Sequence, residues 1–179
     1  MENKLIEKGD LIKDNHLNLP LKDKVNHYGI LIIPLIIITV PIVLLFNKEI
    51  ESTFTFIFVL LIGILLFYSF YSLQRDKLLF KIIKLELPDD QLKALILKTL
   101  TTLKWDFFQP NNGVFFAKSG NFFTIRITIT IIYENSFLHI NILDEWGYIT
   151  TFGKTTRYYY KFRDQLFKEY QQYKSKSNY

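Results

Sequence analysis

The sequence predicts a membrane protein: a two-helix transmembrane hairpin followed by a small α+β domain of one helix, four to five antiparallel strands and a second helix. Three observations predict it. Between residues 28 and 73 the only charged residues are Lys48, Glu49 and Glu51. Beyond Pro88 the apolar spacing is helical, then alternates with a period of two, then turns helical again. A chain of 179 residues leaves room for one ordinary domain beside the apolar segment.

The hairpin divides the chain into a cytoplasmic N-terminal arm (1–27), the hairpin itself (28–73) and a cytoplasmic α+β domain (74–179). In the arm, Leu17, Leu19 and Leu21 alternate around Pro20, which suggests an extended stretch that adds to a sheet edge or stays loose. The first span, 28–46, is uncharged and at about 1.5 Å per residue reaches about 28 Å, close to the thickness of a hydrocarbon core. The second span, 52–73, is also uncharged and long enough to cross with some tilt. A buried helical hairpin of a soluble protein is the competing reading, but too few polar positions remain to face water. Pro34 and Pro41 are expected to kink the first helix without ending it, because freed carbonyls in lipid have no better partner than the helix. No small-residue cleavage site follows the first span, so a removed signal peptide is not expected.

Lys13, Lys22 and Lys24 precede the spans and Arg75, Lys77, Lys81 and Lys84 follow them, whereas the turn 47–51 has only Lys48 beside two glutamates. The basic flanks place both termini in the cytoplasm and the turn outside, so the expected location is the inner (cytoplasmic) membrane of a bacterium. Heavy use of Ile, Lys, Asn, Phe and Tyr fits an AT-rich bacterial genome. Neither span holds an ionisable residue, which argues against a conducting pathway within one chain. Gly63 and Ser69 would let another helix approach, and homo-oligomerisation stays open.

Residues 75–86 read as a helix continuing from the second span, with Lys77, Lys81 and Lys84 on one face. Arg75, Lys77, Lys81 and Lys84 are the candidate contacts to anionic lipid headgroups; a plain linking helix explains them as well. Asp89 is the expected N-cap of an amphipathic helix whose core face is Leu92, Leu95, Ile96, Thr99, Leu100 and Leu103. Asp106–Gln109 and Val114–Lys118 flank Pro110-Asn-Asn-Gly113 as a hairpin. Phe122–Tyr133 is the clearest strand, with Phe123, Ile125, Ile127, Ile129, Ile131 and Tyr133 on one face. Its aggregation propensity as an edge places it centrally. After the turn Glu134-Asn135-Ser136, Leu138, Ile140 and Ile142 alternate with His139 and Asn141, and Tyr148–Phe152 offers a short fifth strand. The last helix, from about Thr156 to Tyr173, carries Tyr159, Phe162, Leu166, Tyr170 and Tyr173 as its stripe, with Phe167 beside it.

The absence of cysteine excludes disulfides, thiolate metal sites and Cys nucleophiles. Gly153-Lys154-Thr155 lacks the glycine spacing of a phosphate loop; bulky Tyr-Ile-Thr-Thr-Phe precedes it. His16, His27 and His139 are scattered, so neither a metal nor a cofactor is expected. Arg157, Tyr158, Tyr159, Tyr160, Lys161 and Arg163 mix aromatic and basic groups, but interfacial aromatics explain them without nucleic acid. Asp144, Glu145 and His139 are the nearest approach to an acid–base cluster, and an open sheet face does not by default bring such groups together. The sheet's polar face, Thr124, Arg126, Thr128, Thr130, His139 and Asn141, is drier than solvation requires, which suggests a protein-binding surface or one covered by the arm. The expected function is therefore a non-enzymatic, membrane-anchored interaction module of accessory or immunity type. The alternatives are a membrane-bound enzyme using Asp144, Glu145 and His139 on a lipid-derived substrate, and an oligomeric channel or transporter component.

Overall fold

The computed structural model of the chain describes residues 11–46, 53–111, 113–119, 127–144 and 154–177. The chain forms two compact units: Pro20–Lys77, and Met1–Leu19 together with Leu78–Tyr179.

The first unit is a helical hairpin. Helix α1 (Leu21–Tyr28) runs through a 3-10 turn (Gly29–Leu31) into α2 (Ile32–Phe46), and α3 (Thr53–Lys77) returns. The two prolines expected inside one helix behave differently. The helix continues through Pro41. Pro34 falls in the first turn of α2, just after the 3-10 turn, where its missing N–H leaves no hydrogen bond unmade. At Gly63 the two helices pack closely: a Cβ added there would lie 2.7 Å from Cγ1 of Ile38 on α2. The small residue singled out in the sequence thus serves packing within the hairpin. Two hydroxyls bond their own helix, Thr39 Oγ1 to the Leu35 carbonyl at 2.9 Å and Ser69 Oγ to that of Leu65 at 2.8 Å.

The second unit is an α+β domain with a five-stranded antiparallel sheet, in which the segments 81–84, 137–144, 127–134, 114–119 and 106–111 lie side by side in that order. Its strands are β3 (Lys81–Lys84), β4 (Asp106–Asn111), β5 (Val114–Ser119), β6 (Ile127–Glu134) and β7 (Phe137–Asp144), with α4 (Asp89–Thr102) and α5 (Lys154–Ser177). The central position belongs to β6, as its apolar content demands. Ile127, Ile129, Ile131 and Tyr133 of β6, Leu138, Ile140 and Ile142 of β7, and Phe115 and Ala117 of β5 form the core with both helices. From α4 come Leu92, Leu95, Ile96 and Leu100, and from α5 Phe162 and Leu166. The β6–β7 turn is two residues long, with Asn135 and Ser136 at φ 49° and 69°, the twist that matches paired strands.

Residues 78–86 depart from the expected helix. The chain leaves α3 at Lys77, and Lys81–Lys84 pairs with Phe137–Ile140 as the edge strand. Leu78, Phe80, Ile83, Leu85 and Leu87 are the buried positions. The doublets Leu78-Leu79 and Ile82-Ile83 satisfy helical spacing too, and only the vacant edge of β7 decides for strand. This fifth strand comes from a segment before α4; the expected Tyr148–Phe152 strand lies outside the described residues, as do Phe123 and Ile125.

Helix α4 begins one residue earlier than the capping expectation: Pro88 holds the cap position, and Asp89 and Asp90 lie in the first turn, favourably placed for the helix dipole. It ends on Lys104 at φ 55°, with Lys104 N–H donating to the Thr101 carbonyl and Trp105 N–H to that of Leu100 at 3.1 Å. This turn delivers the Trp105 ring onto Phe162, 6.1 Å between centroids.

The described part of the arm begins at Leu11. Strands β1 (Ile12–Lys13) and β2 (His16–Leu17) form a hairpin through Asp14 and Asn15, both at positive φ. Leu17 N–H donates to the Leu78 carbonyl at 2.8 Å and Phe80 N–H to that of Asn15 at 3.0 Å. Leu11 and Leu17 are buried. Neither expectation for the arm holds as stated: residues 12–17 form a separate two-stranded sheet, tied by the His16–Leu79 bridge to the lead-in to β3 and not added as an edge strand, and Leu21 begins α1.

Candidate functional site

The sheet face away from α4 and α5 is read from the register. Thr130 lies opposite Asn141 and Phe116, Thr128 opposite Leu143 and Lys118, Ile132 opposite His139, and Phe108 opposite Phe116. Side chains alternate across a strand, so these residues share the face that carries Thr128, Thr130, His139 and Asn141. Thr124 and Arg126 lie outside the described residues. The four described positions differ in access. Thr130 and Asn141 are 3% and 1% exposed, whereas Thr128 and His139 are half-buried. Asn141 Nδ2 donates to the Leu79 carbonyl at 3.1 Å. Phe80 meets the His139 ring edge-on at 6.1 Å. The stretch that bears the arm thus covers the β7 side of this face.

Around those polar groups the face is apolar. Phe108 (56% exposed), Ile82 (50%) and Phe137 (38%) reach solvent, and the Phe108 and Phe116 rings lie 5.3 Å apart. The sequence reading missed this set because it took Phe107 and Phe108 as undifferentiated strand residues. The register sends Phe107 to the core side, against Phe115, and Phe108 outward.

The acid–base residues do not meet. His139 faces away from the helices, while Asp144, five positions on, shares the side of Ile140 and Ile142. Glu145 lies outside the described residues. Burial pushes the His139 imidazole below its ordinary pKa, with the nearby Glu134 carboxylate opposing, and Nδ1 has no hydrogen-bond partner. Among the described residues no three His, Asp or Glu side chains cluster as metal ligands do.

The basic residues proposed for headgroups are split by the change from helix to strand. Arg75 and Lys77 occupy the last turn of α3. Lys81 lies on the helix side of β3, its Nζ 4.1 Å from the Tyr159 ring centre, and burial lowers its pKa. Lys84 lies on the opposite side, over the Phe137 ring. One basic stripe does not form, because strand neighbours alternate faces.

The aromatic–basic segment of α5 is engaged internally. Tyr158 packs on Trp105, Tyr159 lies under Lys81, and the Arg163 guanidinium stacks 4.6 Å from the Tyr160 ring while bonding Asp164.

A shallow groove of about 160 Å³ runs between α4 and α5, lined by Gln91, Ala94, Leu95, Lys98, Gln172 and Tyr173. At its floor is Glu169, 5% exposed. Lys98 Nζ lies 2.6 Å from Oε2 and Gln165 donates to Oε1 at 2.7 Å. The Lys98 ammonium holds this carboxyl below its ordinary range, although burial pushes the other way. Glu169 follows Phe162 and Leu166 at helical spacing, a signal that an acidic residue conceals.

Compared with protein-family models, curated proteins and solved structures, the chain matches none significantly. Its class is defined by its own architecture: two long apolar helices joined to an α+β domain with a five-stranded antiparallel sheet.

Proposed function

We propose that this chain is an integral membrane protein whose α2–α3 hairpin anchors the α+β domain at a bilayer surface, where the domain acts as a non-enzymatic interaction module. The carrying observation is where the apolar surface lies. Residues Leu21–Leu44 and Phe56–Lys77 are long and apolar enough to cross, yet only 17% and 6% of their apolar windows are buried within the protein. Phe54, Leu61 and Leu65 are 79%, 59% and 68% exposed. A buried helical hairpin of a soluble protein would hide these side chains, and water penalises a continuous patch of this kind. The self-bonded hydroxyls of Thr39 and Ser69 also suit hydrocarbon, where an unsatisfied donor is costly.

The arm supports the topology. Leu17, before the first span, bonds Leu78, after the second. Such a pairing supports a reading in which both ends of the hairpin lie on one side of the bilayer and the turn 47–51 on the other. The basic flanks assign the paired ends to the cytoplasm of a bacterial cell. For interaction, the exposed Phe108, Ile82 and Phe137 around Thr128 and His139 supply the apolar, aromatic surface that protein partners use. The acid–base alternative draws no support from His139 and Asp144, which face opposite ways.

The natural absence of cysteine makes a direct test simple. With Lys48→Cys or Lys104→Cys as the single thiol, an impermeant maleimide applied to intact cells should label only the former. Lys104→Cys should react after permeabilisation, and both chains should resist carbonate extraction. Extraction into the carbonate supernatant would refute the anchor; the reverse labelling would refute the orientation. A photo-crosslinker at Thr128 should form a discrete adduct that one at Lys161, on the outer surface of α5, does not. Identical adduct patterns from the two positions would refute the interaction surface.

A further inference from the structure

The base of the helical hairpin brings together groups that the sequence keeps far apart. On α1, His27 Nε2 donates to the Gln74 carbonyl of α3 at 2.8 Å, and the contact is buried. Next to it the Tyr28 and Tyr71 rings stack, 5.9 Å between centroids and 23° between planes. These contacts pin α1 alongside the last turns of α3, beyond the most apolar part of the hairpin. The two helices run in opposite directions. Lys24 therefore lies one turn below Tyr28 on α1, and Arg75 one turn below Tyr71 on α3, each at the i, i+4 spacing that shares a helix face. Both cations are exposed at the same level, beneath a shared tyrosine pair, and Arg75 acts electrostatically on Tyr28. Among the described residues neither Lys24 nor Arg75 takes part in an ion pair. Asp23 and Asp76, their chain neighbours, leave their helices about 100° away from them.

We propose that Lys24, Tyr28, Tyr71 and Arg75 form a binding site for the phosphate headgroup of an anionic phospholipid. The site rests on the membrane reading above, and it replaces the basic stripe that the change of helix to strand removes. The chemistry is specific to that ligand. Lys24 and Arg75 offer two cations to a phosphodiester, and among the described residues neither is held in an ion pair. The tyrosine rings belong at the boundary of hydrocarbon and headgroup, where an apolar body and a polar hydroxyl are both satisfied. The exposed apolar faces of α2 and α3 continue directly from the tyrosines, so the acyl chains of a bound lipid have a surface to follow. A soluble phosphate ester would meet the cations without that surface.

The test uses the purified full chain in micelles with equal amounts of phosphatidylglycerol and phosphatidylcholine, and counts retained lipids by native mass spectrometry. Wild type should retain phosphatidylglycerol preferentially. Lys24→Gln with Arg75→Gln should lower that preference about tenfold or more, since each basic residue near a lipid surface contributes about a kcal/mol. Lys104→Gln with Lys161→Gln removes the same charge elsewhere and should leave the preference unchanged. The site is refuted if the first pair behaves as wild type, or if the control loses as much. Membrane fractionation separates the two levels: a chain absent from carbonate-washed membranes sinks the anchor reading itself. A chain retained there, with the first pair unaffected in lipid preference, sinks only this site.

Discussion

Glu169 is the residue whose environment most constrains its chemistry. Its carboxylate is almost fully removed from water and is held by Lys98 and Gln165. Lys98→Met would leave a buried acceptor with one donor fewer, at a cost of about 1–3 kcal/mol, because Lys98 is itself 57% exposed and the lost attraction is partly screened. Thermal unfolding in detergent reads the loss. The pH dependence has a definite sign. The folded pKa is depressed, so the stabilisation is complete above the ordinary value of 4.5 and disappears as pH falls through the folded value. His139 behaves in the same sense at higher pH. Its folded pKa is below the ordinary 6.5, so the unfolded imidazole takes up its proton first and stability drops as pH falls below that value. Replacing it by Gln should flatten the fall in midpoint between about pH 7 and 5.5; an unchanged slope would mean that His139 is solvated.

Among the elements, the hairpin has one crowded contact and the arm one load of buried leucine. Gly63 has no room for a side chain beside Ile38, whose Cγ1 would lie 2.7 Å from an added Cβ, so Ile38 or the helix that carries it would have to shift. Gly63→Leu should therefore separate the helices and lower stability in detergent by about 1–3 kcal/mol, whereas Ser69→Ala, on an exposed side, should be nearly silent. Equal losses would show that Gly63 is not the packing point. The segment 78–86 is instructive here. Its apolar doublets fit two periodicities, and the choice was made by β7, whose free edge needs backbone partners. By contrast α4 was legible nearly to the residue. Leu92, Leu95, Ile96, Thr99 and Leu100 are all buried, and the strong alternation of β6 placed it at the centre of the sheet.

For the whole molecule, the arm gives the domain a second connection to the chain. Because Leu17 and Leu78 are hydrogen-bonded neighbours, the hairpin Pro20–Lys77 is an insertion between two adjacent points of one unit. Replacing it by about four Gly and Ser residues, the length of an ordinary tight connection, should yield a folded soluble domain. Retained circular dichroism and a cooperative melt would verify this; an unfolded product would mean that the hairpin contributes to the domain's core.

The sequence by itself determined the two apolar helices, the order of helix, antiparallel strands and helix, and most of the core. These follow from local periodicity and from the free energy of removing apolar side chains from water. It also determined which chemistries are absent for want of cysteine. Only the tertiary structure decided that Lys81–Lys84 is a strand, that His139 and Asp144 face apart and that Glu169 is buried. Only there do Lys24 and Arg75 flank one pair of stacked tyrosines. Each of these depends on which partner a segment finds across tens of residues, and backbone pairing and helix contact carry that information where spacing along the chain does not.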